Sequence, residues 1–237
     1  MVVGPAKYDP GSALGRGRGL IFRNRDEAGK KLAGALLQFK GEDVVVLGIP
    51  RGGVVVANEV ARALGAPLDV VVTRKIEAPG QPEYGLGAVT QEGDVVLDSY
   101  AAESVGADPA YLEDQIRRKR QEVKERMERL RGDAPYPDLE GKVVLIVDDG
   151  IATGSSVEAA VVSIKRRRPK AVVVAAPVAP PDVVKNLSGK GVKVVCLQTP
   201  GLFFAIGEFY QDFTQVEDEK VKRILDENRV ASRSTTH

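Results

Sequence analysis

Five short runs of apolar, mostly β-branched residues divide the chain. Within each run the apolar positions are consecutive rather than alternating, which predicts strands that are buried on both faces. The predicted strands are residues 43–49, 68–73, 142–147, 171–176 and 192–197, with predicted helices at residues 53–64, 155–168 and 181–187. This alternation predicts an α/β fold, a doubly wound, mostly parallel five-stranded sheet with helices on both faces.

A long insertion separates the second and third predicted strands. Residues 76–132 exceed the length of an ordinary connection. Residues 83–97 predict a hairpin. Residues 108–131 predict a long helix, with Asp108 as its N-cap and Pro109 at its first position. Long insertions at a ligand-binding edge often form lids, and we expect residues 76–107 of this insertion to do so.

The remaining segments flank the core. Residues 43–198 are expected to form the α/β core, on which an N-terminal segment and helix within residues 1–42 would pack. Residues 199–230 would form a C-terminal hood, and residues 231–237 a disordered tail.

Composition and charge narrow the functional classes. The chain has 237 residues, of which 43% are hydrophobic, enough for one large packed domain. With 34 Lys and Arg against 33 Asp and Glu, it lacks the basic field of a general nucleic-acid binder. The basic run at residues 117–120 lies on the predicted long helix, whose apolar stripe and mixed charges favour a solvated face. No apolar run reaches the roughly 18 residues of a membrane span.

A single cysteine and a single histidine restrict the chemistry further. Cys196 cannot form an internal disulfide, which favours a reduced, cytoplasmic setting. His237 is the last residue, which disfavours Ser-His and Cys-His nucleophiles as well as histidine-based zinc sites. Carboxylates, cations, backbone amides or a bound metal must therefore carry the chemistry.

The third predicted strand ends in two adjacent carboxylates, Asp148 and Asp149. Doubly wound sheets bind ligands at the carboxyl ends of their strands. Two ionised carboxylates about 4 Å apart would repel each other by about 4 kcal/mol at an effective dielectric constant near 20. A divalent cation, ligand hydroxyls or helix amides should therefore compensate. A role as turn and helix cap would explain either aspartate alone.

A short segment of small and hydroxylated residues, residues 152–156, follows the acids and opens the next predicted helix. Its amides can point at one anion, Gly154 permits close approach, and its hydroxyls add donors, which suits a phosphate. Carboxylates can accept hydrogen bonds from sugar hydroxyls, and the adjacent backbone amides can bind a phosphate. Together they predict a sugar-phosphate site. The segment is not a Walker loop, because it lacks the GK[ST] sequence.

Two further loops are expected at the same edge. Residues 48–53, GIPRGG, follow the first strand and supply backbone amides and the guanidinium of Arg51, which suit an anion. Residues 73–75 are expected to end the second strand and to bring Arg74 and Lys75 to this edge. An ordinary exposed Arg-Lys pair is the alternative.

Residues 144–156, VLIVDDGIATGSS, resemble the phosphoribosyl pyrophosphate (PRPP) signature of type I phosphoribosyltransferases in order, spacing and strand-loop-helix context. The resemblance implies that Asp148 and Asp149 bind the ribose hydroxyls. It implies that the 5′-phosphate is bound by Ala152, Thr153, Gly154, Ser155 and Ser156. It implies a pyrophosphate site formed by Arg51, Gly52, Arg74 and Lys75, and a catalytic set of Arg74, Lys75, Asp148 and Asp149.

Residues 74–83, RKIEAPGQPE, are similar to the lid segment of a set of predicted phosphoribosyltransferases without an assigned acceptor. Enzymes of the family that act on 6-oxopurines carry an acid immediately before the Thr-Gly of the phosphate loop. Alanine occupies that position here, at Ala152, which makes hypoxanthine and guanine less favoured acceptors.

The family resemblance implies a reaction. PRPP would donate its 5-phosphoribosyl group to a nitrogenous base, or the reverse, with release of pyrophosphate. The resemblance implies Mg²⁺ as cofactor, held mainly by PRPP with help from Asp148 and Asp149, and a homodimer. The alternative function is a PRPP-sensing regulator of nucleotide metabolism without transferase activity. The lack of an evident helix-turn-helix motif and the near-neutral charge weaken that alternative.

Aromatic residues are concentrated in the expected hood. Phe203, Phe204 and Tyr210 are candidates for stacking on a flat base. Packing of these rings between the C-terminal segment and the core is the equally favoured alternative.

Overall fold

The computed structural model describes residues 20–234, so residues 1–19 and 235–237 lie outside the description. In chain order the strands are β1 (Val44–Gly48), β2 (Leu68–Val70), β3 (Arg74–Ala78), β4 (Gln81–Val89), β5 (Val95–Leu97), β6 (Val143–Val147), β7 (Ala171–Val178) and β8 (Lys193–Gln198). The α-helices are α1 (Arg25–Leu36), α2 (Gly52–Leu64), α3 (Ser99–Ser104), α4 (Pro109–Arg131), α5 (Ser155–Lys165), α6 (Pro181–Gly189) and α7 (Asp218–Ser234). Short 3-10 helices span Leu37–Phe39 and Ile206–Phe209.

The central sheet is parallel and has the strand order β2-β1-β6-β7-β8. The predicted five-stranded parallel sheet is therefore confirmed. From β1 the chain passes through α2 to β2 on one side, whereas β6, on the other side of β1, leads through α5 to β7 and through α6 to β8. The β1–β6 pair is thus the switch point, outside whose carboxyl ends doubly wound sheets bind ligands.

The consecutive apolar residues of the central strands are explained by burial on both faces of the sheet. In β1, Val44 and Val46 join the hydrophobic cluster that contains residues of α1, α2 and α7. The intervening Val45 and Leu47 join a second cluster, which contains residues of α5 and α6. Successive side chains of a strand point to opposite faces, so both faces require apolar residues.

The insertion contains more structure than the predicted hairpin and helix. Strands β3, β4 and β5 form a separate antiparallel sheet, of which only the β4–β5 pair was expected. The central strand β2 ends at Val70, and Arg74 and Lys75 begin β3. The prediction that these two cations end the second core strand is therefore wrong. In β3, buried Ile76 and Ala78 alternate with partly exposed Lys75 and Glu77, as in a strand with one covered face.

Helix α4 confirms the predicted long helix, and a buried ion pair attaches its last residue to the central sheet. The Asp108 side chain accepts a hydrogen bond from the backbone of Tyr111 at 2.7 Å, as expected for an N-cap. At the other end, Arg131 donates to both carboxylate oxygens of Asp69, on β2, at 2.7 and 2.8 Å. The ring of Tyr136 lies 4.8 Å from the Arg131 guanidinium. The insertion is thus fixed to the core where α4 ends.

Helix α7 continues to Ser234, so residues 231–234, expected to belong to a disordered tail, are helical. Buried Val221, Ile224 and Leu225 anchor this helix to the core. In the described part of the chain, no helix combines the length and the apolar character needed to cross a membrane.

Candidate active site

The acid pair lies directly beyond the end of β6. Asp148 donates its backbone N–H to the carbonyl of Ala175, on β7, at 3.2 Å. Asp149 donates its backbone N–H to the Asp148 carboxylate at 2.9 Å. Burial, and then the charge of Asp149, hold the pKa of Asp148 well above its ordinary value. The two aspartates are therefore neighbours in a site that disfavours two adjacent negative charges.

A cation that the sequence did not reveal compensates one of these charges. Arg25, the first residue of α1, donates from Nε to Oδ2 of Asp149 at 2.6 Å, and both side chains are nearly buried. Its NH1 group donates to the carbonyl of Thr214 at 2.8 Å. Its guanidinium lies 3.9 Å from the ring centroid of Phe213. Arg25 precedes Asp149 by 124 residues and belongs to no motif. The sequence indicated only that the charges of the acid pair should be compensated, and not which residue would do so.

The GIPRGG loop packs against the acid pair. A Cβ atom on Gly52 would lie 1.8 Å from Oδ2 of Asp149 and 2.7 Å from Nε of Arg25. A Cβ atom on Gly53 would lie 2.8 Å from the carbonyl oxygen of Val147. Only glycine fits at these two positions, which begin α2. The structure therefore brings together the loops that follow β1 and β6. The peptide bond between Pro50 and Arg51 is cis.

The predicted phosphate loop follows the acid pair and leads into α5. Gly154 has φ 83° and occupies the N-cap position, where no side chain caps the helix. The first amides of a helix have no intrahelical acceptor, so those of α5 remain available to an anion. The hydroxyls of Thr153 and Ser155 lie 3.2 Å apart. Thr153, Ser156 and Ala152 are exposed. The arrangement suits a phosphate group.

The predicted cations lie on different elements. Arg51 pairs with Glu217 at 3.8 Å, and Arg74 donates to Glu122, on α4, at 3.1 Å. Lys75 is half-buried and pairs with no acid among the side chains that the structure describes, which leave out those of residues 82, 83 and 231–234. With Ser155 it lines a cavity of about 570 Å³ between β4 and α5.

Arg126, on α4, was not predicted as a site residue, yet it lies close to two of these cations. Burial lowers the pKa of Arg126, and the charges of Arg74 and Arg51 lower it further, while its partner Asp218 opposes the shift. The positive charges of Arg126, Arg74 and Arg51 therefore act on one another. The apolar stripe and mixed charges of α4 led us to interpret it as an ordinary solvated helix. That pattern does not show that Arg126 points towards the protein interior.

The aromatic residues of the hood have different roles. Tyr210 is buried and donates its hydroxyl to the carbonyl of Asp149 at 2.6 Å, and burial raises its pKa. Phe203 stacks on Phe209 at 5.5 Å, whereas Phe204 is 82% exposed. Tyr210 therefore matches the packing alternative, and Phe204 is the ring of the three predicted candidates that is most open to a ligand.

A dedicated metal cage is not part of the described site. Among the side chains that the structure describes, no group of three or more His, Cys, Asp or Glu is arranged to hold a metal ion. Asp148 and Asp149 still offer two carboxylates at the switch point. Mg²⁺ in phosphate-transfer sites is commonly held by one or two carboxylates together with substrate phosphates. The acid pair fits that pattern.

A phosphoribosyl transferase domain family matches residues 21–213, so the chain belongs to the phosphoribosyltransferase family. The resemblance noted in the sequence is thereby confirmed. Two proteins of Mycobacterium tuberculosis, from strains CDC 1551 and H37Rv, are provisionally named phosphoribosyl transferases and are each 44% identical over 206 residues. The alignment covers 87% of this chain and 46% of each relative, so the chain spans about half their length.

A solved structure shares the fold over nearly its whole length. The crystal structure of TT1426 from Thermus thermophilus is 48% identical to this chain, with a TM-score of 0.80. The match covers 88% of this chain and 99% of TT1426. The match thus includes almost all of the TT1426 chain, whereas it includes about half of each mycobacterial relative.

Proposed function

We propose that the protein transfers the 5-phosphoribosyl group of PRPP to a nitrogenous base, or catalyses the reverse reaction, with pyrophosphate as the other product. The observation that supports this most is the convergence of three features at the β1–β6 switch point. They are the acid pair, the uncapped start of α5, and the glycine turn that leaves no space between Gly52 and Asp149. The acid pair suits two sugar hydroxyls, the start of α5 suits a phosphate, and the glycine turn suits a pyrophosphate.

In this proposal the acid pair and the phosphate loop hold the phosphoribosyl group. Asp148 and Asp149 accept hydrogen bonds from the ribose 2′- and 3′-hydroxyls. The 5′-phosphate binds the amides and hydroxyls of residues 152–156. Held at both ends, the sugar presents C1 in a fixed direction, which lowers the entropic part of the barrier.

The leaving pyrophosphate would be bound by three cationic side chains, those of Arg51, Arg74 and Lys75, and by the backbone N–H of Gly52. Fixed positive charges aimed at the departing oxygens stabilise the charge that develops in the transition state. Mg²⁺, when bound, would neutralise pyrophosphate charge, and Asp148 and Asp149 are the residues that would help PRPP to hold it. Residues 76–107, within the insertion, would act as the lid that excludes water.

The acceptor would lie under the hood. Exposed Phe204 and half-buried Phe203 support stacking of a flat base, whereas buried Tyr210 would support the hood from behind. Ala152 cannot exchange a proton with a base, which supports an acceptor other than hypoxanthine or guanine. The cytoplasmic location, the homodimeric state and the role in nucleotide salvage stay predictions. Sedimentation equilibrium would measure the number of subunits.

The test is an assay of pyrophosphate release with Mg²⁺, PRPP and a panel of purines, pyrimidines and nicotinate. We expect release that depends on one class of base and is lost in Asp148→Asn. The exposed variant Arg117→Gln is the matched control and should keep the wild-type rate, because its side chain is 80% exposed and pairs only with Asp114.

Two outcomes would contradict the transferase proposal. PRPP binding without turnover on any base, together with retention of RNA or DNA, would identify a regulator. Absence of PRPP binding would contradict both functions.

A further inference from the structure

Arg25 belongs to none of the predicted motifs, yet its guanidinium contacts the acid pair directly. We propose that Arg25 is a positioning residue, which fixes the Asp149 carboxylate so that one of its oxygens is aimed at the bound ribose. This inference rests on the proposed function and adds a determinant of PRPP affinity that lies in the first turn of α1.

The guanidinium of Arg25 is itself held by three groups. Its Nε contacts Asp149 at 2.6 Å, its NH1 donates to the Thr214 carbonyl at 2.8 Å, and its plane lies 3.9 Å from the Phe213 ring centroid. The side chains of Arg25 and Asp149 are only 11% and 12% exposed. Because solvent screens this ion pair only weakly and several groups hold the guanidinium, Arg25 can fix the orientation of the Asp149 carboxylate.

Each of the two carboxylates has one oxygen that accepts a hydrogen bond, and the two carboxylates also contact each other. The Asp149 backbone N–H occupies Oδ1 of Asp148, and Arg25 occupies Oδ2 of Asp149. Apart from the contact between the two carboxylates themselves, no side chain or backbone group that the structure describes hydrogen-bonds to the other oxygen of either one. A ribose has two neighbouring hydroxyls to donate, so each would find one aimed carboxylate oxygen.

Loss of Arg25 would change this arrangement in a specific way. Asp149 would keep its place in the backbone, because its carbonyl accepts the Tyr210 hydroxyl at 2.6 Å. Its carboxylate, however, would face Asp148 without a neighbouring cation and would lose its fixed orientation. The contact to the ribose hydroxyls should weaken, while groups that bind only pyrophosphate should be affected much less.

The experiment compares the binding of two ligands, PRPP and inorganic pyrophosphate, each with Mg²⁺, by calorimetry on the full chain. In Arg25→Met we expect the dissociation constant of PRPP to rise about 10- to 100-fold, as for the loss of a charged hydrogen bond, with pyrophosphate binding nearly unchanged. Arg25→Lys should lie between wild type and Arg25→Met, because lysine keeps the charge without the fork.

Arg23→Met is the matched control. Arg23 lies two residues earlier, is 76% exposed and only loosely pairs with Glu27 at 3.7 Å, so PRPP binding should not change. A double-mutant cycle with Asp149→Asn provides a readout that a merely structural role would not give. Arg25→Met should cost little further PRPP affinity in the Asp149→Asn background, because its effect passes through Asp149.

Three results would overturn the inference. They are unchanged PRPP affinity in a folded Arg25→Met or Arg25→Lys protein, an equal loss of PRPP and pyrophosphate affinity, and fully additive effects in the cycle. Thermal unfolding of each variant checks that the protein is folded. If wild type itself fails to bind PRPP, the proposed function fails first and this inference falls with it.

Discussion

At the scale of single residues, the two neighbouring aspartates have different surroundings. Asp149 is paired with Arg25, whereas Asp148 receives one backbone hydrogen bond and faces the charge of its neighbour. Burial, followed by the charge of Asp149, raises the pKa of Asp148. In the proposed site a ribose hydroxyl donates to this carboxylate, so the charge that is unfavourable for folding serves ligand binding.

We therefore predict that Asp148→Asn stabilises the folded protein while it abolishes PRPP binding. A pKa raised on folding means that the folded state binds the proton more tightly, so wild-type stability falls as the pH rises from the unfolded pKa to the folded pKa. Asparagine carries no charge and removes that loss. Thermal unfolding from pH 4 to pH 8 should show a midpoint a few degrees higher for Asp148→Asn at neutral pH, with a smaller difference at acid pH.

A lower midpoint for Asp148→Asn at neutral pH would contradict this prediction. Asp138→Asn is a suitable control, because Asp138 follows α4 in the same connection to β6 and its carboxylate accepts only the nearby backbone N–H of Glu140, at 3.1 Å. It should change neither PRPP binding nor the pH dependence.

Residues of the site differ in how far the sequence could predict them. Asp148, Asp149 and residues 152–156 are consecutive in a strand-loop-helix context, so their spacing carries the signal. Arg25 reaches the site only through the packing of α1, and the position of Arg126 on α4, where the charges of Arg74 and Arg51 act on it, is likewise not part of a local pattern. For Tyr210 the sequence left stacking on a base and packing against the core equally favoured, because its burial and its hydrogen bond to Asp149 are tertiary properties.

At the scale of elements, the turn from β1 into α2 is the clearest case of a shape that only glycine permits. Gly52, the first residue of α2, lies against the ion pair of Asp149 and Arg25. We predict that Gly52→Ala weakens PRPP binding by at least about tenfold and destabilises the fold by about 1–3 kcal/mol, since the added methyl group must displace a buried carboxylate. Calorimetry and urea unfolding measure the two effects.

Gly34→Ala is the matched control for this substitution. Gly34 is an exposed residue of α1, and a Cβ atom there would meet nothing within 4 Å. Alanine should stabilise that helix by about 0.5–1 kcal/mol and leave PRPP binding unchanged. Wild-type PRPP affinity in Gly52→Ala would show that the turn does not form part of the binding site.

Elements also differ in how clearly the sequence indicates them. Strands β1, β6 and β7 are consecutive apolar runs because α-helices cover both of their faces. Strand β3 escaped prediction, since its alternation of buried Ile76 and Ala78 with charged residues is short and follows directly on the apolar residues after β2. Because residues 71–72 continue the apolar run of β2 almost up to Arg74, the sequence predicted that Arg74 and Lys75 end a core strand.

At the scale of the whole molecule, the insertion and the C-terminal segment both contact the central sheet or the residues at its edge. Helix α4 is tied to β2 by Arg131 and Asp69, and Arg74 and Lys75 lie on the antiparallel sheet of the insertion. The hood reaches the acid pair through Tyr210 and through Arg25 with Thr214. The division into core, lid and hood stays a proposal, and it describes how segments far apart in sequence would enclose one ligand.

A crystal structure of the protein with PRPP and Mg²⁺ tests the central claim most directly. We predict that the ribose hydroxyls contact Asp148 and Asp149, and that the 5′-phosphate lies on residues 152–156 at the start of α5. The pyrophosphate should lie beside Arg51 and the Gly52 amide. A phosphoribosyl group bound away from the acid pair, or a 5′-phosphate held elsewhere than at α5, would contradict the account.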